Sequence, residues 1–573
     1  MKSLRFRTLL AVLVVVVAAA AFYQATAPAE RPLADSMPPG ALLVLEARDF
    51  SAVLGDWNQS KEKELWLAGD NYKVFSRSRL FLRLKEALDE FGAAAGLQPD
   101  MAMVQSIAGG ESAVAVYDIG KLEFLYVTRM PASRALESLL WQKRAEFEPR
   151  KVAEIEYFIR TDPESRRVVA FAATDDTLLL ATREDLLAGA LQRISGQPGA
   201  SAAHEGWYER AVSAAGKRGD LRLVMNLEAL AKSPHFRSYW IQQNISEVRQ
   251  FAAGVSDLHR SAEEYREERV LIFKDSGETS APEGEPAALA EVLRLVPDDA
   301  GLYRAWTSPS TDHALELLER KVLAPRAGAG APSKVAPGVA LSEGVIGSES
   351  DLETRIDEAP LPAAGGTFSP QALRRLLDAA QLRALLALQS SVAEKDSGFV
   401  GNRSAIVLLG ASEWNGEAVR GALRDAVENL WTTSHLGAAW VERKEGGESY
   451  HALDGLTRLA VAVRGRMLVV SDSPETLLAV LRSSAAAPVP NDTVYAAGFR
   501  HGRERENFAR MMRWMDYPAM QSESGDAESR QPRFFSENIA SLSRTLALVE
   551  CATVVRQRSG AAVKETVRYR LQP

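Results

Sequence analysis

Val169-Ala170-Phe171-Ala172-Ala173, then Asp175-Asp176, then Leu178-Leu179-Leu180 and Thr182, is the stretch from which the fold of this chain is read. Two short apolar runs on either side of an Asp-rich turn predict a β-hairpin, and Leu187, Ala190, Leu191 and Ile194, three and four apart, predict a helix that starts after Thr182. The pattern returns as Leu459-Ala460-Val461-Ala462-Val463, the turn Arg464-Gly465-Arg466, the run Leu468-Val469-Val470 and a helix after Ser473. Thr182 and Ser473 offer side-chain oxygens to unpaired first-turn N–H groups. Glu184 and Glu475 put negative charge near the positive helix end, and Pro474 stands where a missing N–H costs nothing. The copies are 290 residues apart in their strands (459 − 169).

Outward from the first copy, Ala41 to Ala47 reads as a short buried strand led by Pro38-Pro39-Gly40, and a comparable start recurs from Val296 to Tyr303. Leu80, Phe81, Leu84, Leu88 and Phe91 recur at helical spacing, which predicts an amphipathic helix with this stripe on the core. Ser112 to Tyr117 and Leu122 to Val127 flank Ile119-Gly120-Lys121 as a hairpin, and Ser133 is placed to cap a helix carrying Leu136, Leu139 and Leu140. Ile155 to Arg160 and Leu221 to Met225 read as strands, and the segments 249–259 and 267–273 as a closing hairpin. In the second half Ser404 to Leu408 matches Ser112 to Val116, Asp492 to Tyr495 stands where Asp220 to Leu223 stood, and Val563 to Leu571 alternates as a final strand.

Several blocks in one order at similar offsets favour an internal duplication. The expected architecture is α+β: two homologous domains, each an antiparallel sheet with helices packed on one face. The expected boundaries are an N-terminal signal peptide or anchor over 1–35, a first repeat over 36–274, an acidic Gly, Pro and Ser-rich linker over 275–286, and a second repeat over 287–573 with a flexible insertion at 326–366.

Lys2, Arg5 and Arg7 precede an uncharged apolar run from Leu9 to Tyr23, the layout of an export signal. The run suits cleavage, at Ala25-Thr26-Ala27 or Ala27-Pro28-Ala29, and equally retention as an inner-membrane anchor. Both put the remainder outside the cytoplasm. Cys551 is the only cysteine, so no intrachain disulfide forms, and its apolar surroundings Ala547 to Ala552 read as those of a packed thiol. A net charge of −7, with no basic run interleaved with aromatics, argues against a nucleic-acid partner.

Catalytic constellations are sparse. Ser60 and Lys63 have the S-x-x-K spacing of a serine nucleophile with a lysine base, without the S-D-N and K-T-G elements that accompany it; Lys61 to Glu64 reads more simply as a solvated charged face. His204, His235, His259, His313, His435, His451 and His501 lack zinc-site spacing, so no metal and no cofactor is expected. Gly216-Lys217 is followed by Arg218 where a phosphate loop has Ser or Thr, and Gly328-Ala329-Gly330 lies in the insertion. Asp175 and Asp176 read as turn residues, while Trp57, Trp66, Trp141 and Trp240 read as core anchors. No catalytic, cofactor-binding or metal-binding residue is assigned, and a groove between the two copies is the favoured place for a binding site.

The order of anchor, proline-led strand, Trp57 segment, amphipathic helix, Gly109-Gly110-Glu111-Ser112-Ala113-Val114 and the Thr177 to Thr182 strand resembles a group of bacterial cell-envelope proteins known as a domain of unknown function. The resemblance implies export with an N-terminal anchor and an α+β fold, and it transfers no catalytic residue. The resulting expectation is a non-catalytic interaction or scaffold protein of the envelope, tethered to the inner membrane or released to the periplasm, with an envelope protein as partner. Binding of a lipid or other apolar ligand, and hydrolysis at Ser60, are the alternatives.

Overall fold

The structure is a computed structural model that describes residues 32–69, 72–73, 76–77, 79–233, 248–274, 285–323, 369–393, 400–428, 439–453, 459–484, 490, 492–515 and 546–572. The apolar N-terminal run, His235, Trp240, His435, Gly328 to Gly330, the linker over 275–284 and the insertion over 326–366 lie outside the described residues. Among the described residues no helix is long and apolar enough to cross a membrane.

The first half contributes β1 (Leu43–Ala47), β2 (Ser112–Asp118), β3 (Glu123–Arg129), β4 (Glu148–Val152), β5 (Ile155–Thr161), β6 (Val168–Ala173), β7 (Thr177–Ala181), β8 (Leu221–Met225), β9 (Phe251–Arg260) and β10 (Glu264–Phe273). The second half contributes β11 (Leu302–Thr307), β12 (Leu382–Ala393), β13 (Val400–Gly410), β14 (Trp440–Glu445), β15 (Glu448–Leu453), β16 (Leu459–Arg464), β17 (Met467–Ser471), β18 (Thr493–Phe499), β19 (Val549–Ser559) and β20 (Ala562–Leu571). The class is α+β, with every strand pair antiparallel.

Pairing gives the order β4-β5-β6-β7-β3-β2-β1-β8-β9-β10 in the first half. The second half runs β14-β15-β16-β17-β13-β12-β11-β18-β19-β20, the same series strand for strand. The halves meet edge to edge, because β10 pairs β20 from Glu264 opposite Arg570 to Ile272 opposite Ala562. Glu268 and Thr566 are the middle pair of that ladder. Antiparallel pairing of corresponding strands is an isologous contact, with a local two-fold axis through its centre. The junction expected as a groove is therefore a continuous ladder.

Helices cover both faces of the sheet in each half, which corrects the expectation of one covered face. Leu179 and Ala181 of β7 pack with Leu187, Leu191, Trp207 and Leu33 on one face, while Leu178 and Leu180 pack with Phe91, Met103, Leu140, Phe147 and Phe171 on the other. In the second half Val469 of β17 packs with Leu289, Leu477 and Leu481, and Leu468 and Val470 with Leu315, Leu377 and Leu423. A strand buried on both sides has no solvent face to mark with polar residues, so unbroken runs such as Leu178-Leu179-Leu180 are what two-sided cover requires. In β6 and β16, Ala170, Ala172, Ala460 and Ala462 are the small residues under the helices Glu184–Ile194 and Pro474–Arg482, and Val169, Phe171, Leu459 and Val461 face the other way.

Local corrections have equally local causes. Ser473 caps Pro474–Arg482 as expected, accepting from the N–H of Thr476 at 3.2 Å. Thr182 does not cap. Its hydroxyl accepts from the N–H of Phe124 on β3 at 2.9 Å, and the helix Glu184–Ile194 begins after Arg183 without a side-chain cap. Ser133 lies inside the short helix Ala132–Glu137, and it is Ser138 that caps the next turn, Leu139–Gln142. The helix Arg79–Ala95 buries Ala87, Phe91, Ala94 and Ala95, but Leu84 and Leu88 stay exposed at 42% and 48%. The buried face shares Phe91 with the predicted stripe and otherwise runs through Ala87, Ala94 and Ala95.

Candidate functional site

The sequence candidates do not converge. Ser60 is the N-cap of Lys61–Ala68: its hydroxyl donates to the Trp57 carbonyl at 2.8 Å and accepts from the Lys63 N–H at 3.1 Å. The Lys63 Nζ goes instead to Asn58 Oδ1 at 2.7 Å, so the S-x-x-K spacing here is a helix cap. Asp175 and Asp176 form the β6–β7 turn, where their carbonyls accept from the N–H groups of Ala132 and Met130. His204, His259, His313, His451 and His501 lie on separate elements, and among the described residues no group of three metal-ligating side chains occurs. Cys551 is half-buried on β19. Trp141 packs edge-on against Phe158 and Phe171 as an anchor, whereas Trp57 is 41% exposed, which corrects its assignment to the core.

The structure instead collects charge along one end of the first half's sheet, on the face of the helix Gly206–Ala214. Glu46 on β1 stands opposite Arg222 on β8, Arg222 opposite Asp257 on β9, Asp257 opposite Glu268 on β10, and Glu268 opposite Thr566 on β20. Arg222 grips Asp257 with two bonds, Nε to Oδ1 at 2.8 Å and Nη2 to Oδ2 at 2.9 Å, and the Gly219 N–H adds a third at 2.9 Å. Both side chains are almost fully buried, at 8% and 2% exposure. The Tyr208 hydroxyl donates to Glu46, whose other oxygen lies 3.3 Å from Arg218 Nε. Arg218 Nη1 reaches Glu111 at 2.5 Å, and Arg129 Nε donates to the second oxygen of Glu111 at 2.8 Å.

Two turns build this arrangement. Gly109-Gly110-Glu111 brings Glu111 to the start of β2, and a side chain at position 109 would meet the Arg129 carbonyl at 2.3 Å, so only glycine admits that approach. Lys217-Arg218-Gly219-Asp220 leads into β8, and a Cβ on Gly219 would come within 2.5 Å of the Leu258 carbonyl. Burial raises the Glu111 carboxyl, but Arg218 and Arg129 outweigh it and hold the group below its ordinary value. Burial first, and then the Glu46 charge, push the Tyr208 phenol up, so it remains a donor across the working pH range. Arg222 is raised overall: burial alone lowers it, and the bond and charge of Asp257 prevail.

In the second half the corresponding row from Thr566 runs through Val555 and Ala496 to Ala305. Charge in this row therefore belongs to one half only. The next row carries His259, Arg266 and Arg568 on β9, β10 and β20. Here pairing is incomplete: Glu268 reaches Arg266 at 3.4 Å and Lys564 at 3.9 Å, while Arg568 and Arg570 are exposed with no carboxylate within ion-pair distance among the described residues. A set of carboxylates held by guanidinium groups, which keep their protons, suits shape and anion attraction rather than proton transfer. The sequence signal for it is a lone charge inside an apolar strand, as in Leu45-Glu46-Ala47 and Leu221-Arg222-Leu223.

No protein-family model matches this chain, and no curated protein matches it. Two solved structures, crystal forms IV and III of TP0453, are similar to it at 12% and 14% identity. They cover 42% and 48% of this chain and 80% and 88% of their own, each with a TM-score of 0.23.

Proposed function

We propose that this chain is a non-catalytic interaction or scaffold protein of the bacterial cell envelope, exported and held at the inner membrane by its N-terminal apolar segment or released to the periplasm on cleavage. The two strand series are read as copies of one ancestral unit. The observation that carries the reading is the β10–β20 ladder, which joins the two halves into one sheet whose body in each half is packed by helices on both faces. Rigid spacing of two surfaces is what such a body supplies. The apolar-ligand alternative gains no support from the cleft of about 620 Å³ beside Ser310, Thr311, Asp378 and Arg383, whose lining is largely polar.

Exposed Leu84 and Leu88 on Arg79–Ala95 give a contact surface to test. Photo-crosslinkers placed there in intact producing cells are expected to capture the same envelope protein repeatedly, and capture from position 84 is expected to fall when Leu88, one turn further along the same side of the helix, is changed to Glu. Reproducible absence of any envelope partner from both positions contradicts the proposal.

A further inference from the structure

We propose that the seam carries a binding site for a phosphate-type oxyanion, held by His259, Arg266 and Arg568. The three residues stand side by side on β9, β10 and β20, and Thr553 of β19 continues the row beyond Arg568. Paired residues on antiparallel neighbours have Cα atoms about 4.5–5.5 Å apart, so the two guanidinium groups and the imidazole form a row about 10 Å wide. Like charges directly opposite one another destabilise a sheet, and one carboxylate, Glu268, answers both Arg266 and Lys564. Arg570, two residues along the same face, stands opposite Glu264 without reaching it. Two nitrogens in the row, His259 Nε2 and Arg266 Nε, are buried and make no hydrogen bond, the latter having only its 3.4 Å ion pair with Glu268. Buried donors left unpaired cost free energy that a bound acceptor recovers.

The surroundings fit a small anion. The helix Gly206–Ala214 lies against β8, β9 and β10, and among the described residues no helix is packed along β20 in the same way, so Arg568 is open to solvent. Guanidinium forks match the oxygens of a phosphate, and Thr553 adds a hydroxyl donor. A row this short takes one or two phosphate groups, and a long polyanion finds no continuation on a chain of net charge −7. Because β9 and β10 come from one half and β20 from the other, the site exists only when the seam is formed. It does not depend on the scaffold reading, since it rests on the register of three strands.

The test is calorimetric titration of the full chain with inorganic phosphate and with pyrophosphate, together with co-sedimentation on phosphatidylcholine vesicles with and without phosphatidylglycerol. Binding to a free anion, or selective binding to the anionic vesicles, is expected to weaken about tenfold in an Arg266→Gln/Arg568→Gln variant. It is expected to be unchanged in Lys444→Gln, which removes an exposed cation from the far edge strand β14. The double variant relieves like-charge opposition, so its melting temperature is expected to hold. Binding to vesicles alone identifies a lipid headgroup as the source, and binding to the salts identifies a soluble anion. No binding to any of these probes, or binding that the double variant leaves intact, overturns the site.

Discussion

At Glu46, Arg222 and Asp257 the chain places charges inside strands whose other inward residues are apolar, and their partners decide whether that is tolerable. A charge taken from water is costly by several kcal/mol unless its partner is held in good geometry, and removing one member of such a pair leaves the other uncompensated. Asp257→Ala is therefore expected to destabilise the protein by about 3 kcal/mol or more, measured by denaturant unfolding. The second half shows the apolar solution at the same positions, Ala496 and Val555. Accordingly Arg222→Ala combined with Asp257→Val is expected to cost less than Asp257→Ala alone, a non-additivity that a double-mutant cycle measures directly. Equal or greater loss in the double variant contradicts this. None of the pairing was legible in the sequence, because the partners meet across strands whose register no local pattern announces. Only the isolated charges in Leu45-Glu46-Ala47 and Leu221-Arg222-Leu223 hinted at it.

Among the elements, the hairpins were read most accurately. β6 with β7 and β16 with β17 fall within a residue or two of the runs that predicted them, since strand length and turn chemistry are local. Caps were legible only in part. Ser473 and Thr182 look alike in sequence, yet Thr182 lies beside β3 and its hydroxyl pairs with Phe124, which local reading does not see. Ser473→Ala is expected to cost about 1 kcal/mol through loss of the cap. Thr182→Ala is expected to act on the sheet, taking from the part-buried N–H of Phe124 its hydroxyl acceptor, and amide exchange separates the two. Faster exchange at Thr476 marks the first variant and faster exchange at Phe124 the second, and the reverse pattern contradicts the assignment. The exposure of Leu84 and Leu88 was missed for a related reason, since spacing defines a stripe but not how far the neighbouring layer extends over it.

For the whole molecule, the blocks of similar sequence were partly out of step, since Ser404 to Leu408, matched to β2, forms β13 in the place of β3, and nothing local specified the junction of the halves. The pairing of β10 with β20 joins residues roughly 300 positions apart, and alternation in Val563 to Leu571 predicts a strand without naming its neighbour. The outermost strands explain why the sheet ends where it does. β4 reads Glu-Pro-Arg-Lys-Val and β14 Trp-Val-Glu-Arg-Lys-Glu; charge makes each a poor template for a further strand, and in β4 Pro149 adds to it. The seam is also what assembles the cationic row, so the structure of the edge and the proposed anion site stand on the same ladder. Its most direct measurement is a crosslink at the centre: Glu268→Cys with Thr566→Cys in a Cys551→Ser background. Antiparallel partners about 4.5–5.5 Å apart lie within the Cα range a disulfide spans. Mild oxidation is expected to link a β10 peptide to a β20 peptide within one chain, identified by mass spectrometry of the monomer. Two free thiols after oxidation, or links formed only between chains, would contradict a single sheet running through both halves.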